Sequence, residues 1–309
     1  MIRVLFAHDP AAATPWREAF ERLAPQAEFR VWQAGAPIDD ADYLITWKPP
    51  SGLLAQLPGL KAIFLLSAGA DHLMDQHLPQ GVDIVRMSEP GLVKGMIQYV
   101  SFAVQGIHRG LFECARNARE GAWVRQRLMP PDRRTVGVMG LGALGSAVML
   151  DLQAQGFAMR GWSNSAKQFA GVETFAGTDG FGEFLAGTEI LICLVALTPQ
   201  TRGILGRDAM SKLPEGAAII NVARGGIVNE QELLELLDAG HLSQAVLDVF
   251  ETEPLPADNP LWRHPRVFVT PHIASVFQPE TATEAVVKDL LLHASGGRPA
   301  TTVDRNKGY

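Results

Sequence analysis

Thr135-Val-Gly-Val-Met-Gly-Leu-Gly-Ala-Leu-Gly-Ser146 contains the spacing Gly140-x-Gly142-x-x-Gly145. Such a pattern is weak in isolation, because glycines also merely turn a chain. Its surroundings give it meaning. A β-branched run precedes it, Ser146-Ala-Val-Met-Leu-Asp-Leu152 reads as a helix, and Phe157 opens another strand-like run at βαβ distance. In such a unit Gly140 permits the tight turn and Gly142 lets the backbone approach a pyrophosphate. Gly145 lets helix and strand pack closely, and the helix N-terminus faces the phosphates. Gly140, Gly142, Ala143, Leu144 and Gly145 are therefore candidate dinucleotide-binding residues.

The end of the next strand bears on which dinucleotide. In the NAD version an Asp or Glu lies about 20 residues on and holds the ribose 2′-hydroxyl. This chain reads Arg160-Gly-Trp-Ser-Asn-Ser-Ala-Lys167 there, with no acid until Glu173. Ser163, Asn164 and Ser165 can hydrogen-bond a phosphate, Lys167 supplies charge, and no carboxylate repels the anion. NADP is expected, with NAD binding more weakly. An ordinary polar turn is the competing account of these four residues.

Further out, strands alternate with helices on both sides of the glycine loop. Before it come Ile2–Ala7, 28–32, Tyr43–Thr46, 62–66 and 83–86. The series that starts at Thr135 continues through 157–162, 190–195, Ala217–Asn221, 245–249 and 267–270. Two parallel α/β units follow from this order. Pro90-Gly91 breaks the chain before a segment with helical apolar spacing, read as one connecting helix over 92–119. A last helical pattern runs from Glu280 to about His293.

Three loops in the second series each follow an apolar run. They place Arg224, then Asp248 and Glu253, then His272 beyond strand ends, where open α/β sheets bind ligands. Singly, Arg224 reads as a surface ion-pair partner, Glu253 as a solvated acid and His272 as a turn histidine. Together they suit one site. The fork of an arginine grips a carboxylate, and a histidine exchanges protons near neutral pH, helped by a neighbouring glutamate.

Composition narrows the alternatives. The 309 residues allow about two domains; 47% are hydrophobic and 19% charged, a globular balance. A net charge of −6 lacks the footprint of a nucleic-acid binder, so a small-molecule partner is expected. The longest apolar run, residues 190–197, is far shorter than the ~20 residues a membrane-spanning helix needs. The amino terminus, MIRVLFAHDP, has no export-signal pattern. Cys114 and Cys193 alone argue against a disulfide framework or a cysteine-rich zinc site, and a cytoplasmic location is expected.

The chain resembles the D-isomer-specific 2-hydroxyacid dehydrogenases, most closely their glyoxylate/hydroxypyruvate reductase A branch, over almost its whole length. The marks are the Gly140 loop, Trp162-Ser163, Asn221-Val-Ala-Arg-Gly225 and Leu247-Asp-Val-Phe250 with Glu253-Pro-Leu-Pro256. Leu261-Trp262-x-His264-Pro-Arg-Val267, Thr270-Pro-His272 and the ending Val303-Asp-Arg-x-x-Gly-Tyr309 complete them. The intervals agree too: 253 − 224 = 29 and 272 − 224 = 48.

The resemblance implies two Rossmann-like doubly wound parallel-sheet domains with a cleft between them. Residues 1–98 with 281–309 would form the substrate domain and 99–280 the dinucleotide-binding domain. It implies NADPH-dependent reduction of a small 2-keto acid, glyoxylate or hydroxypyruvate, by a homodimer. A bulkier keto acid, or a non-catalytic dinucleotide sensor like the C-terminal binding protein corepressors, is the alternative. By the same resemblance Arg224 binds the substrate's carboxylate or keto oxygen, His272 is the general acid and Glu253 its partner. Asp248 lies near the nicotinamide amide, and Val195, Ala196, Leu197, Thr198, Pro199, Val222 and Ala223 line the coenzyme. In the first domain, the backbone N–H groups of Gly69 and Ala70 receive the carboxylate and Trp47 walls the pocket. Two departures stand out. Asn164 occupies a position where this branch often has an arginine, and Gly95-Met-Ile-Gln-Tyr99 lacks the acid and histidine of many relatives, so it is assigned no chemical role.

Overall fold

Strands that are apolar at every position, rather than at alternate ones, must be covered on both faces, as in a parallel sheet packed between helices. Tyr43–Thr46, 62–65, Ile190–Cys193 and Ala217–Asn221 are buried along their whole length. The computed structural model describes residues 1–36, 40–74 and 78–305, with nothing stated of the Met74 side chain. These residues divide into two compact units, Met1–Leu92 with Val276–Tyr309, and Val93–Ser275. The chain passes between them after Leu92 and after Ser275. The chain's final Gly308-Tyr309 pair lies outside the described residues.

In the first unit, β1 (Ile2–Ala7), β2 (Ala27–Val31), β3 (Tyr43–Thr46), β4 (Ala62–Leu65) and β5 (Asp83–Val85) form a parallel sheet in the order 2-1-3-4-5. One layer of its core brings α1 (Ala13–Leu23) and α9 (Pro279–Ala294) onto Val4, Phe6, Tyr43 and Phe64 through Trp16, Phe20, Val286 and Leu290. The other layer joins Leu5, Leu44, Ile63 and Ile84 to Leu53, Leu57 and Leu73, the last from α2 (Asp71–Met74). Each such side chain contributes about 1.5–3 kcal/mol on leaving water.

The helix read as continuous over 92–119 is two. It runs as α3 (Pro90–His108), breaks at Arg109-Gly110, and resumes as α4 (Leu111–Arg119). Gly110 has φ +65°. That left-handed residue ends one helix and starts the next without disturbing the apolar periodicity that runs through both.

The second unit holds a parallel sheet of β6 (Thr135–Met139), β7 (Ala158–Ser163), β8 (Glu173–Ala176), β9 (Ile190–Cys193), β10 (Ala217–Asn221), β11 (Leu242–Leu247) and β12 (Val267–Val269). The strand order is 12-11-10-9-6-7-8. One face carries α6 (Gly177–Ala186), α7 (Arg207–Met210) and α8 (Glu230–Asp238), packed through Phe184, Leu185, Met210, Leu233 and Leu237. The other carries α3 and α5 (Ala143–Ala154) through Val100, Val104, Val148 and Leu152. The chain leaves β6 toward β7 and β8, then returns to place β9 on the other side of β6. The sheet therefore switches direction between β6 and β9, where a doubly wound sheet opens a ligand crevice.

Strand β8 is absent from the sequence reading. Only Phe175 of its four residues is buried, and it lies on the sheet edge, so it carries no periodicity of its own. Strand β11 ends at Leu247 rather than at 249, and β9 at Cys193 rather than at 195. In both places the chain turns away to make the loops described next.

Candidate active site

The glycine loop leaves β6 at the switch point. Gly140 has φ +107°, and its N–H donates to the Trp162 carbonyl at 2.8 Å. A Cβ at Gly140 would sit 2.7 Å from the Leu194 carbonyl, and one at Gly145 only 1.8 Å from the Gly140 oxygen. A Cβ on Gly142, which precedes α5, would meet nothing within 4 Å. Two of the glycines are thus required by the protein's own backbone, while the third faces open space at a helix N-terminus. That division fits a dinucleotide pyrophosphate, with Ala143 and Leu144 in the first turn of the helix. The loop after β9 lies against the same turn. In it the Thr201 hydroxyl donates to the Ala196 carbonyl at 2.7 Å and accepts from the Thr198 N–H at 2.8 Å, shaping residues 195–199.

After β7 the chain exposes Asn164 and Ser165. The Ser163 hydroxyl is buried and donates to the Ser165 carbonyl at 2.8 Å. The Lys167 ammonium donates to the Leu141 carbonyl, which ties this loop to the glycine loop. Glu173, the next acid in the chain, opens β8 and pairs with Arg160 at 2.7 Å. Its carboxylate is thereby used on the sheet rather than in the β7 loop.

Loops after β10, β11 and β12 carry the charged candidates. Asn221 is buried; its amide donates to the Arg224 carbonyl at 3.0 Å and its oxygen accepts from the Ala223 N–H at 3.1 Å. This turn places buried Val222 and Ala223 before the half-buried Arg224, whose guanidinium donates to the Ala223 carbonyl at 2.7 Å. A Cβ on Gly225 would lie 1.8 Å from the Phe250 carbonyl carbon, so only glycine lets the β10 and β11 loops touch. In the β11 loop one Glu253 oxygen accepts from the Phe250 N–H at 2.9 Å. The other lies 2.8 Å from His272 Nδ1. With Nδ1 turned to the carboxylate, Nε2 is the ring nitrogen left to exchange a proton with a ligand.

His272 has φ +56°, which among the described residues no other non-glycine residue shares. Histidine tolerates this region better than most side chains, and it persists only where the surroundings enforce it. The surroundings are centred on Asp248, which is 1% exposed. Its carbonyl accepts from the His272 N–H at 2.8 Å. Its carboxylate accepts from the Thr270 hydroxyl at 2.6 Å and from the Ile273 and Ala274 N–H groups at 2.8 Å each. Tyr99, in the stretch of α3 assigned no role from sequence, has its phenol 2.5 Å from the Thr270 hydroxyl. Nothing in the residue pattern around Tyr99 signals this partner, 171 residues away.

In the first unit Trp47 follows β3 and is 48% exposed. Its carbonyl meets His72 Nε2. Gly69 and Ala70 lie in the loop after β4, where the Ser67 hydroxyl donates to the Gly69 carbonyl at 2.7 Å and Arg86 to the Ala68 carbonyl at 3.2 Å. All three candidates thus lie past carboxyl ends of their own sheet.

A doubly wound sheet with this glycine loop, and an acid–base pair at its strand ends, defines a dinucleotide-dependent oxidoreductase. The chain belongs to the D-isomer specific 2-hydroxyacid dehydrogenases, whose NAD binding domain model matches residues 102–274. It is 39% identical to a glyoxylate/hydroxypyruvate reductase A of Serratia proteamaculans and 38% identical to one of Yersinia enterocolitica, over 100% of each chain. A D-isomer specific 2-hydroxyacid dehydrogenase of Xanthobacter autotrophicus Py2, solved with NADPH and MES, superposes with a TM-score of 0.94 at 38% identity, covering 99% of both chains. An NADPH-dependent glyoxylate/hydroxypyruvate reductase of Sinorhizobium meliloti, solved with NADP and sulfate, does so at 0.92 and 32% identity over 100% of both.

Proposed function

We propose that the protein reduces a small 2-keto acid, glyoxylate or hydroxypyruvate, to the 2-hydroxy acid with NADPH as the preferred coenzyme. When bound, the nicotinamide supplies the hydride. Around it, Arg224 grips the carboxylate or keto oxygen, His272 donates the proton to that oxygen, and Glu253 holds the imidazole in place. Gly140, Gly142 and Gly145 with the 195–199 loop bind the dinucleotide, and Ser163, Asn164, Ser165 and Lys167 meet its 2′-phosphate. Residues 93–275 act as the coenzyme domain and the remainder as the substrate domain, where Gly69 and Ala70 receive the carboxylate and Trp47 limits its size.

The observation that carries this reading is the 2.8 Å pairing of His272 with Glu253 on a sheet whose glycine loop is open at Gly142. It is supported by the activity named for the Serratia and Yersinia relatives and by the NADPH named for the Xanthobacter structure. A homodimer is part of the proposal, because α3, α4 and the segment after them expose Phe102, Leu111, Trp123, Val124 and Leu128, with Trp123 92% exposed. A spectrophotometric panel of 2-keto acids against NADPH and NADH tests the activity. Oxidation of NADPH by the small keto acids supports it, and silence with every keto acid refutes it.

A further inference from the structure

The His272 loop hangs from one chain of hydrogen bonds that starts on another element. Thr270 has a single hydroxyl proton, and at 2.6 Å it goes to the Asp248 carboxylate, which can only accept. The Tyr99 phenol, 2.5 Å from the same oxygen, must then be the donor. The order is Tyr99 to Thr270 to Asp248, and each link polarises the next. Asp248 in turn collects the N–H groups of Ile273 and Ala274 on its carboxylate and that of His272 on its carbonyl. The imidazole is therefore bracketed on both sides along the chain by residues tied to one buried acid. Tyr99 anchors this acid to α3, whose Met96, Val100 and Val104 are packed in the core of the same unit. Burial pushes the phenol up to about 12, so it remains a donor across any working pH.

We propose that Tyr99 is a positioning residue for proton transfer: acting through Thr270 and Asp248, it holds the 270–274 backbone in the shape that presents His272. The inference rests on His272 being the proton donor. A catalytic group displaced by a fraction of an ångström loses rate rather than affinity, since binding of coenzyme and substrate draws on other loops.

Three variants test it in the intact enzyme. Tyr99→Phe removes only the hydroxyl and keeps the ring, so it is expected to fold. Its kcat should fall about five- to tenfold, the scale of one hydrogen bond, with KM for the keto acid and the NADPH dissociation constant within about twofold of the parent. Thr270→Val breaks both links and leaves the Asp248 carboxylate short of a donor, so kcat should fall about 30- to 100-fold with the same split. Thr270→Ser, which restores the hydroxyl, should recover most of that loss. If Tyr99→Phe keeps kcat within twofold, or if the losses of these variants appear only as weaker NADPH binding, the inference fails. His272→Gln separates this from failure of the proposed function. A nearly inactive His272→Gln beside an unimpaired Tyr99→Phe overturns the positioning role alone, whereas an active His272→Gln overturns the assignment of the proton donor itself.

Discussion

Two loops of the same sheet are held in opposite ways. The loop after β12 has an unusual backbone at His272, and one buried carboxylate, three backbone N–H groups and two hydroxyls fix its course. The loop after β7 leaves Asn164 and Ser165 exposed and is tied down by Ser163 and by the reach of Lys167. The contrast follows the work proposed for each. Proton transfer tolerates little error in position, whereas a phosphate at the edge of a coenzyme can be met by several donors that adjust to it. Substitutions near His272 should therefore act on kcat and be severe, and those in the β7 loop should act on the coenzyme's KM and be mild.

After loss of His272 itself, the largest effect is expected at Arg224, in the loop after β10. Arg224→Lys keeps the charge and loses the planar fork, so kcat/KM for the keto acid should fall at least ~100-fold. Efficiency within a factor of two of the parent would remove Arg224 from the substrate. Next comes Glu253→Gln, which keeps a group of the same shape near Nδ1 but removes the negative charge. Without the carboxylate the imidazole loses the partner that orients Nε2, so kcat should drop roughly tenfold or more with KM for the keto acid little changed. A kcat within twofold of the parent would take Glu253 out of this role.

Glycine substitutions sharpen the same comparison inside the coenzyme loop. Gly145→Ala collides with the Gly140 carbonyl, so it should cost stability on the order of 1–3 kcal/mol, read as a lower Tm in the absence of ligand. Gly142→Ala meets nothing in the protein, so its Tm should be unchanged while its NADPH dissociation constant rises about tenfold. Equal Tm values for the two variants would contradict the division of roles. The mildest effect belongs to the β7 loop. Asn164→Arg should strengthen the preference for NADPH over NADH by roughly three- to tenfold, discounted from a fully formed charged contact because the position is exposed. The gain should appear in KM for NADPH, with kcat little changed.

The same contrast explains what could be read from sequence. The glycine loop is a local code: three positions within six residues, each with its own steric demand, so its strand, turn and helix were legible together. The charged candidates were legible by their position after apolar runs, and 29- and 48-residue intervals from Arg224 supported the family resemblance. Tyr99 was not legible, because its meaning lies in a hydroxyl 171 residues away and its spacing fits the apolar face of α3. The resemblance places Asp248 near the nicotinamide, and the structure adds that its carboxylate is engaged by the loop that carries His272, a partnership spread over 22 to 26 residues that no local pattern announces. Strand β8 and the break at Gly110 were hidden for a related reason. A short edge strand depends on its neighbour β7 to form, and one left-handed residue interrupts a helix without changing the periodicity around it.

Reduction of a small 2-keto acid with NADPH, with His272 as the proton donor, is the reaction proposed for this chain. The direct measurement is NADPH consumption by the parent enzyme and by His272→Gln with glyoxylate, hydroxypyruvate and bulkier 2-keto acids, repeated with NADH. Turnover of the small keto acids is expected, with higher efficiency with NADPH than with NADH and a fall of about 10³-fold in His272→Gln. A parent enzyme that turns over no keto acid, or a His272→Gln variant as active as the parent, would contradict it.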